Sequence, residues 1–280
     1  MVIKIGFDIG LRLFFPTTIL YVLRVHRSRR DSLIGAENFR IEPALPFKEY
    51  LDLFGNLCGQ VTAPAGVVHF LNDAIVRDPG ELDIYLPEAR LHSVNDLPSE
   101  TLAFLLPSRY CEVDSELLEF AWNNFSKVPE GWGRVQAVCD FVHDHLEFDY
   151  GQASATRTAL AAFHERVGVC RDFTHLAITL CRCMNIPARY ATGYLGDIGI
   201  PPQPYPMDFS AWFEAYIGGK WHTFDPRHNC RRIGRILVGR GRDAADVPIT
   251  MAFGKSNLET FTVVTEELES NDFPCSAGGP

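Results

Sequence analysis

Cys170 is the side chain of this sequence that is best placed to act as a nucleophile. It stands in the stretch GVCRDFTHLAITLC, where apolar residues recur with helical spacing from Phe173 onward. A cysteine at a helix N-terminus meets free N–H groups and a partial positive charge, and both favour the reactive thiolate. Many free cysteines are simply small buried apolar side chains, so a nucleophile also needs a base and a group that orients the base.

A predicted β-hairpin carries groups of the kind that such a cysteine needs. Gly218 and Gly219 are typical of a two-residue turn in which both residues have positive φ. If they form the turn, the ladder continues down both strands as far as position 210. Because side chains alternate between the faces of a strand, Ser210 and Asp225 then become neighbours on one face. We expect this face to meet Cys170.

The elements around these residues predict an α+β fold. Helical periodicity begins at residue 114 and ends at Pro187, after which apolar residues alternate as in a mostly antiparallel sheet. Upstream, residues 1–95 are rich in short strand-like segments and turn residues, and they predict a small β-sandwich or barrel. We therefore expect a β-rich domain at 1–95, a helix-and-sheet domain at 113–268 and a flexible tail at 269–280.

Together these stretches resemble the transglutaminase-like superfamily of papain-type cysteine enzymes over about residues 113–265. The segment GVCRDFTHLAITLCRCMNIPARYATGY matches its Gly-x-Cys helix, and AWFEAYIGGKWHTFDP matches its Ala-Trp-x-Glu and Trp-x-x-x-Asp-Pro strands. The upstream β-rich region resembles the N-terminal domain of bacterial members. The resemblance implies a papain-like core of helices packed on a sheet, with Cys170 as the nucleophile and Asp225 as the group that orients the base.

The sequence departs from the family pattern at the base itself. The resemblance implies a histidine just before Ala-Trp, at the position that Ser210 occupies here. A serine hydroxyl is far too weak a base to deprotonate a thiol near neutral pH, so the departure bears on catalysis and leaves the fold unaffected. Two other histidines are alternative bases: His228, which follows the hairpin, and His164, in the segment that leads to Cys170.

Composition bears on several other classes of function. The net charge of −9 over 280 residues argues against nucleic acid as a partner. The longest apolar run near the N-terminus, residues 11–23, is too short to span a bilayer, so we expect a soluble, cytoplasmic protein with no membrane partner. Scattered cysteines without a C-x-x-C pair predict reduced thiols and no metal site, and we expect no cofactor. The arginine-rich stretch 227–243 fits either a site for an anionic ligand or a solvated strand face.

The predicted function is amide-directed acyl chemistry on a peptide or protein substrate. As the resemblance implies, Cys170 would attack a peptide or glutamine-type carboxamide, form a thioester, and transfer the acyl group to water or an amine. Hydrolysis is at least as well supported as cross-linking, since a transferase must also exclude water. The alternative is a non-catalytic binding or scaffolding protein that keeps the fold without its base. The oligomeric state stays open.

Overall fold

The computed structural model of the protein describes residues 1–269. Its strands are β1 (Val2–Leu13), β2 (Thr17–Val22), β3 (Arg40–Glu42), β4 (Phe47–Leu51), β5 (Leu57–Ala63), β6 (Gly66–Arg77), β7 (Glu147–Phe148), β8 (Val167–Gly168), β9 (Ala188–Tyr194), β10 (Phe209–Ile217), β11 (Lys220–Phe224), β12 (Ile236–Gly241), β13 (Thr250–Ala252) and β14 (Ser256–Glu267). Its α-helices are α1 (Ser99–Leu102), α2 (Leu117–Phe125), α3 (Trp132–His145), α4 (Ala159–Glu165) and α5 (Cys170–Cys183). Strands come first, then helices, then strands again, which confirms the predicted α+β fold.

The N-terminal part is a sandwich of two antiparallel sheets. One sheet has the strand order β14-β1-β6-β3 and the other has the order β13-β2-β5-β4. Alternate residues along β6 are buried, as expected for a strand with one face on a core. The rings of Tyr21 and Phe70 meet between the sheets at a centroid distance of 5.2 Å. The predicted β-rich region is therefore a sandwich with a continuous apolar interior.

Residues 250–267, predicted as part of the second domain, belong to this sandwich. β14 runs antiparallel to β1 along nearly the whole of that strand, and β13 pairs with β2. Alternating apolar residues predict that a segment forms a strand, but they do not show which strand it pairs with. Here β14 pairs with β1, which buries Val263 in the core of the sandwich. The predicted limits 113–268 are corrected accordingly. The predicted tail 269–280 lies outside the described residues apart from Glu269.

The second part packs helices on a four-stranded sheet with the order β11-β10-β9-β12. The helix α5 lies across β9 and β10 and begins at Cys170, as the sequence predicts. At its start, Asp172 Oδ2 accepts the backbone N–H of Val169 at 3.0 Å, which fixes the turn into the helix. At its end, Asn185 takes the left-handed conformation with φ of 59°. The predicted apolar stripe is buried at Phe173, Leu176, Ala177, Leu180 and Met184.

The strands β10 and β11 form the predicted hairpin in the predicted register. Gly218 and Gly219 have φ of 59° and 75°, values that a two-residue turn of this kind requires. Ile217 pairs with Lys220, and the pairing continues along both strands. The side chains therefore alternate between faces as expected.

The hairpin ladder ends earlier than predicted, at the pair formed by Phe213 and Phe224. Pro226 has no backbone N–H, and Asp225 turns the chain away by accepting the backbone N–H groups of the two residues after the proline, at 3.0 and 3.1 Å. Residues 209–212 of β10 consequently have β9 on one side only. Their other edge has no strand partner, and Cys170 lies beside it in the site described below.

The pairing of the two chain ends leads to a first prediction. We expect Val263→Asn to lower the free energy of unfolding by about 2–4 kcal/mol, because it places an amide in the apolar core of the sandwich. Thr262→Asn, one residue earlier on the exposed face, is the matched control and should change it by less than about 0.5 kcal/mol. Urea denaturation followed by tryptophan fluorescence measures both. A V263N protein as stable as the wild type would show that β14 does not hold the sandwich together.

Candidate active site

Cys170 lies beside the unpaired edge of β10. Its Sγ is 4.0 Å from the carbonyl oxygen of Phe209, and the backbone N–H of Ala211 is also within hydrogen-bonding reach of the sulfur. These two backbone groups come immediately before and after Ser210 in the chain. The Oγ of Ser210 is buried and has no hydrogen-bond partner among residues 1–269. A longer side chain at position 210 would therefore start next to the sulfur.

The surroundings of Cys170 disfavour a thiolate. Burial, with a smaller effect of the nearby Asp208 carboxylate, raises the pKa of the thiol to about 11, although Arg227 and the N–H of Ala211 act in the opposite direction. Asp208 is itself largely buried, which raises its own pKa to about 6. The expectation that the helix N-terminus would favour the thiolate is thus outweighed by burial and by a neighbouring negative charge.

The carboxylate of Asp225 is buried, and each of its oxygens accepts two hydrogen bonds. Its Oδ2 accepts hydrogen bonds from Nη2 of Arg235 at 2.8 Å and from Nδ1 of His228 at 2.9 Å. Its Oδ1 accepts the two backbone N–H groups of the turn that follows β11. Burial alone would raise the pKa of Asp225, but Arg235 and the hydrogen bonds from His228 outweigh it and hold that pKa well below its usual range.

Cys170 and Ser210 line two neighbouring recesses that share Asp208 and Phe209. The groove at Cys170 has a volume of about 300 Å³. The recess at Ser210, of about 40 Å³, is also lined by His228. Ser210 and Trp212 occupy alternate positions of β10, so Ser210 belongs to the face that turns away from α5. The structure thus brings Ser210 together with His228, whereas Cys170 approaches the same strand from its edge.

Neither alternative base contacts the sulfur. His164 is exposed, and its Nε2 lies 2.6 Å from Oε1 of Glu116. His228 is held by Asp225, as described above. Among residues 1–269, no histidine ring forms a hydrogen bond with Sγ of Cys170.

Three further observations concern the part of the chain that the structure describes. The seven cysteines within it are all free thiols. No group of three histidine, cysteine, aspartate or glutamate side chains in this part is arranged to hold a metal ion. None of the helices in residues 1–269 has the length and apolar character needed to cross a membrane.

Comparison with known proteins identifies the family of this site. The sequence model of the transglutaminase-like superfamily matches residues 123–226, which include Cys170, Ser210 and Asp225. A solved structure from Cytophaga hutchinsonii, named a "Putative Cysteine Protease", is 31% identical and superposes with a TM-score of 0.81 over 98% of this chain and 92% of that chain. The chain belongs to the transglutaminase-like superfamily.

Two mycobacterial proteins are also similar to this transglutaminase-like chain. An uncharacterized protein of Mycobacterium leprae is 27% identical over 234 residues, which cover 80% of this chain and 82% of that protein. An uncharacterized protein of Mycobacterium tuberculosis is 34% identical over 128 residues, which cover 41% of each. Both similarities concern sequence, and neither protein carries a named activity.

The transglutaminase-like site contains two charged groups that the sequence did not point to. Asp208 precedes β10 in a segment without a motif, and nothing in the sequence places its carboxylate beside Cys170. Arg235 belongs to the arginine-rich stretch, but only the folded chain brings its Nη2 to Asp225. The charge state of the site depends on both residues, and both are positioned by loops rather than by a repeating pattern.

The opposing effects of Asp208 and Arg227 lead to a second prediction. Asp208→Asn removes a negative charge near the sulfur and should raise the rate of Cys170 alkylation by iodoacetamide at pH 8 about 3–10-fold. Arg227→Gln should lower that rate. Because the pKa of Asp208 is about 6, its carboxylate is protonated at lower pH, and the advantage of D208N should fade below about pH 6. Peptide mass spectrometry measures the labelling, and equal rates for D208N and wild type at pH 8 would contradict the assignment.

Proposed function

We propose that this transglutaminase-like protein binds a peptide or a glutamine-type carboxamide in the groove at Cys170 without converting it at an enzymatic rate. The observation that carries the proposal is the missing base. Ser210 stands in the position where the superfamily pattern has a histidine, and within residues 1–269 no imidazole forms a hydrogen bond with Sγ of Cys170. The fold and the groove remain, while the group that would move the proton is absent.

The proton chemistry of the site supports this proposal. With a thiol pKa of about 11, only roughly one molecule in 10⁴ carries a thiolate at pH 7. Asp208 is a poor base for this thiol, because its pKa of about 6 lies far below that of Cys170. Asp225 is a weaker base still, since Arg235 and His228 hold it ionised. A leaving amine would also need a proton that no group here is placed to deliver.

The shape of the groove supports a peptide or carboxamide as the ligand. Its walls include the rings of Phe209, Tyr190 and Phe261, and its polar groups include Thr192, Arg171 and Asp208. Largely apolar walls with a few polar groups are typical of sites that hold organic ligands.

The proposal predicts that a histidine at position 210 creates activity. Ser210→His should raise Cys170-dependent hydrolysis of an activated ester such as p-nitrophenyl acetate by about 10²–10⁴-fold over the wild type, because it supplies a general base next to the sulfur. The rate of p-nitrophenolate release measures the effect. Ser210→Asn is the matched control, since it adds a polar side chain without a titratable group.

Two outcomes of this experiment are decisive. The gain in S210H must disappear when Cys170→Ala is added, because the cysteine is the proposed nucleophile. If S210H folds like the wild type and hydrolyses the ester no faster than S210N, the missing base is not what limits this site.

A second function is favoured by one observation, the pairing of His228 with Asp225. An imidazole held by a carboxylate through Nδ1 has Nε2 available as a general base. If the turn that carries His228 brought Nε2 to the sulfur, the protein would be a cysteine peptidase, amidase or acyltransferase. Cys170 would then form a thioester and pass the acyl group to water or to an amine, with hydrolysis at least as well supported as cross-linking.

The two functions differ in what His228→Gln does to the wild-type protein. On the binding proposal, wild-type hydrolysis is close to background, so His228→Gln leaves it unchanged. On the second function, the same substitution lowers a measurable rate by about 10²-fold or more. Turnover of peptide and glutamine-type amides by wild type and H228Q, followed by mass spectrometry, separates the two.

A further inference from the structure

The connection between β9 and β10 contains an exposed, proline-rich stretch. Residues 200–206, here called the proline segment, read IPPQPYP, and each residue from 201 to 206 is exposed. The chain on either side of it is anchored, because Ile198 is buried and Met207 is half-buried, and both pack in the main apolar core. Gly199 has φ of 71°, a conformation that glycine adopts without strain. The segment is therefore an exposed loop with fixed ends and a glycine at one of them.

Few hydrogen bonds hold the proline segment. Proline has no backbone N–H, so four of its seven residues cannot donate one. Within residues 1–269, its hydrogen bonds are those of Gln203, whose backbone N–H donates to Oδ2 of Asp197 at 2.7 Å and whose Nε2 donates to the carbonyl oxygen of Pro201 at 3.0 Å. Neither bond reaches a strand or a helix. Segments that are exposed and make few hydrogen bonds open locally at a low free-energy cost.

The ring of Tyr205 fastens the proline segment to the body of the protein. It contacts the rings of Phe148 and Tyr150, with 5.5 Å between centroids in each case. Phe148 also carries the guanidinium of Arg227, whose central carbon lies 3.7 Å from the centroid of that ring. Tyr205 is nevertheless 44% exposed, so this contact buries only part of its ring. A contact of this size holds a loop in one position without making that position permanent.

The proline segment forms part of the wall of the recess at Ser210. Gln203 and Tyr205 line this recess together with Ser210 and His228. Its volume is about 40 Å³, whereas sites for organic ligands usually have about 300 Å³ or more. The wall at Ser210 belongs to β10, and the wall at His228 is fixed through Asp225, so the proline segment is the wall that is free to move.

We propose that the proline segment is a lid, latched by Tyr205, whose opening joins the recess at Ser210 to the groove at Cys170. Both hollows are lined by Asp208 and Phe209, which follow the lid in the chain. With the lid closed, a ligand in the groove meets Cys170 without reaching His228. With the lid open, the same ligand extends past Asp208 to His228. The lid controls access, and it acts in the same way whether the groove only binds its ligand or also converts it.

The rate at which diethyl pyrocarbonate acylates His228 measures how often the lid is open. In the wild type at pH 8, His228 should react more slowly than the exposed His164, because the closed lid narrows the recess. Tyr205→Ala removes both ring contacts and should raise the His228 rate about 3–10-fold. Tyr205→Phe keeps the ring and should react like the wild type. Peptide mass spectrometry follows each histidine separately.

Two controls separate the lid from a general loosening of the fold. Tyr85→Ala also removes an exposed tyrosine in ring contact, here with Trp132, but Tyr85 does not line the recess, so His228 should react at the wild-type rate. His175 is fully buried, and its rate should stay unchanged in Y205A.

Three outcomes would overturn the proposal. They are equal His228 rates in Y205A and the wild type, a wild-type His228 that reacts as fast as His164, and a rise at His175 that parallels the rise at His228. The acylation needs neither a bound ligand nor turnover at Cys170, so its result is independent of the S210H and H228Q experiments.

Discussion

The buried carboxylate of Asp225 is the interaction on which the arrangement of the second half of the chain depends. It ends the β10–β11 ladder by accepting backbone N–H groups after Pro226, and it holds both His228 and Arg235. Arg235 continues the network to Asp83, in the segment between the sandwich and the helices. A buried carboxylate is stable only when such partners offset the loss of hydration, so the loops that supply them are fixed together.

The same carboxylate holds the loops around the site in place, although position 210 carries a serine instead of a histidine. In a papain-type arrangement Asp225 would orient an imidazole at position 210, and here its oxygens are taken by Arg235, His228 and the turn. The Oγ of Ser210 forms no hydrogen bond with Asp225 or with the sulfur. The thiol of Cys170 is left beside Asp208 without a cation strong enough to offset burial, and it stays protonated near neutral pH. A groove with the superfamily's cysteine and aspartate and a thiol whose pKa is raised by burial therefore occur at one site.

The sandwich matters to the site because it joins the two ends of the chain. β14 returns to pair with β1, and Phe261 of that strand contacts the ring of Phe209 at the start of β10, with centroids 6.2 Å apart. One wall of the Cys170 groove thus comes from the strand that completes the sandwich. The β-rich part and the helix-and-sheet part share one main apolar core in the described residues, and this core includes both Ile3 and Leu176.

Local sequence determined the elements and their order. Helical spacing from Phe173, the left-handed residue Asn185 and the Gly-Gly turn each act within a few residues, so the helix at Cys170 and the register of the hairpin follow from the sequence alone. The superfamily motifs identified Cys170, Asp225 and the departure at Ser210 on the same local basis. Tertiary structure alone decided the rest: that β14 pairs with β1, that the ladder stops at Phe224, and that Asp208, Arg227 and Arg235 surround the site. Strand partners and charge neighbours are set by which surfaces can be buried together, and residues far apart in the chain decide that jointly.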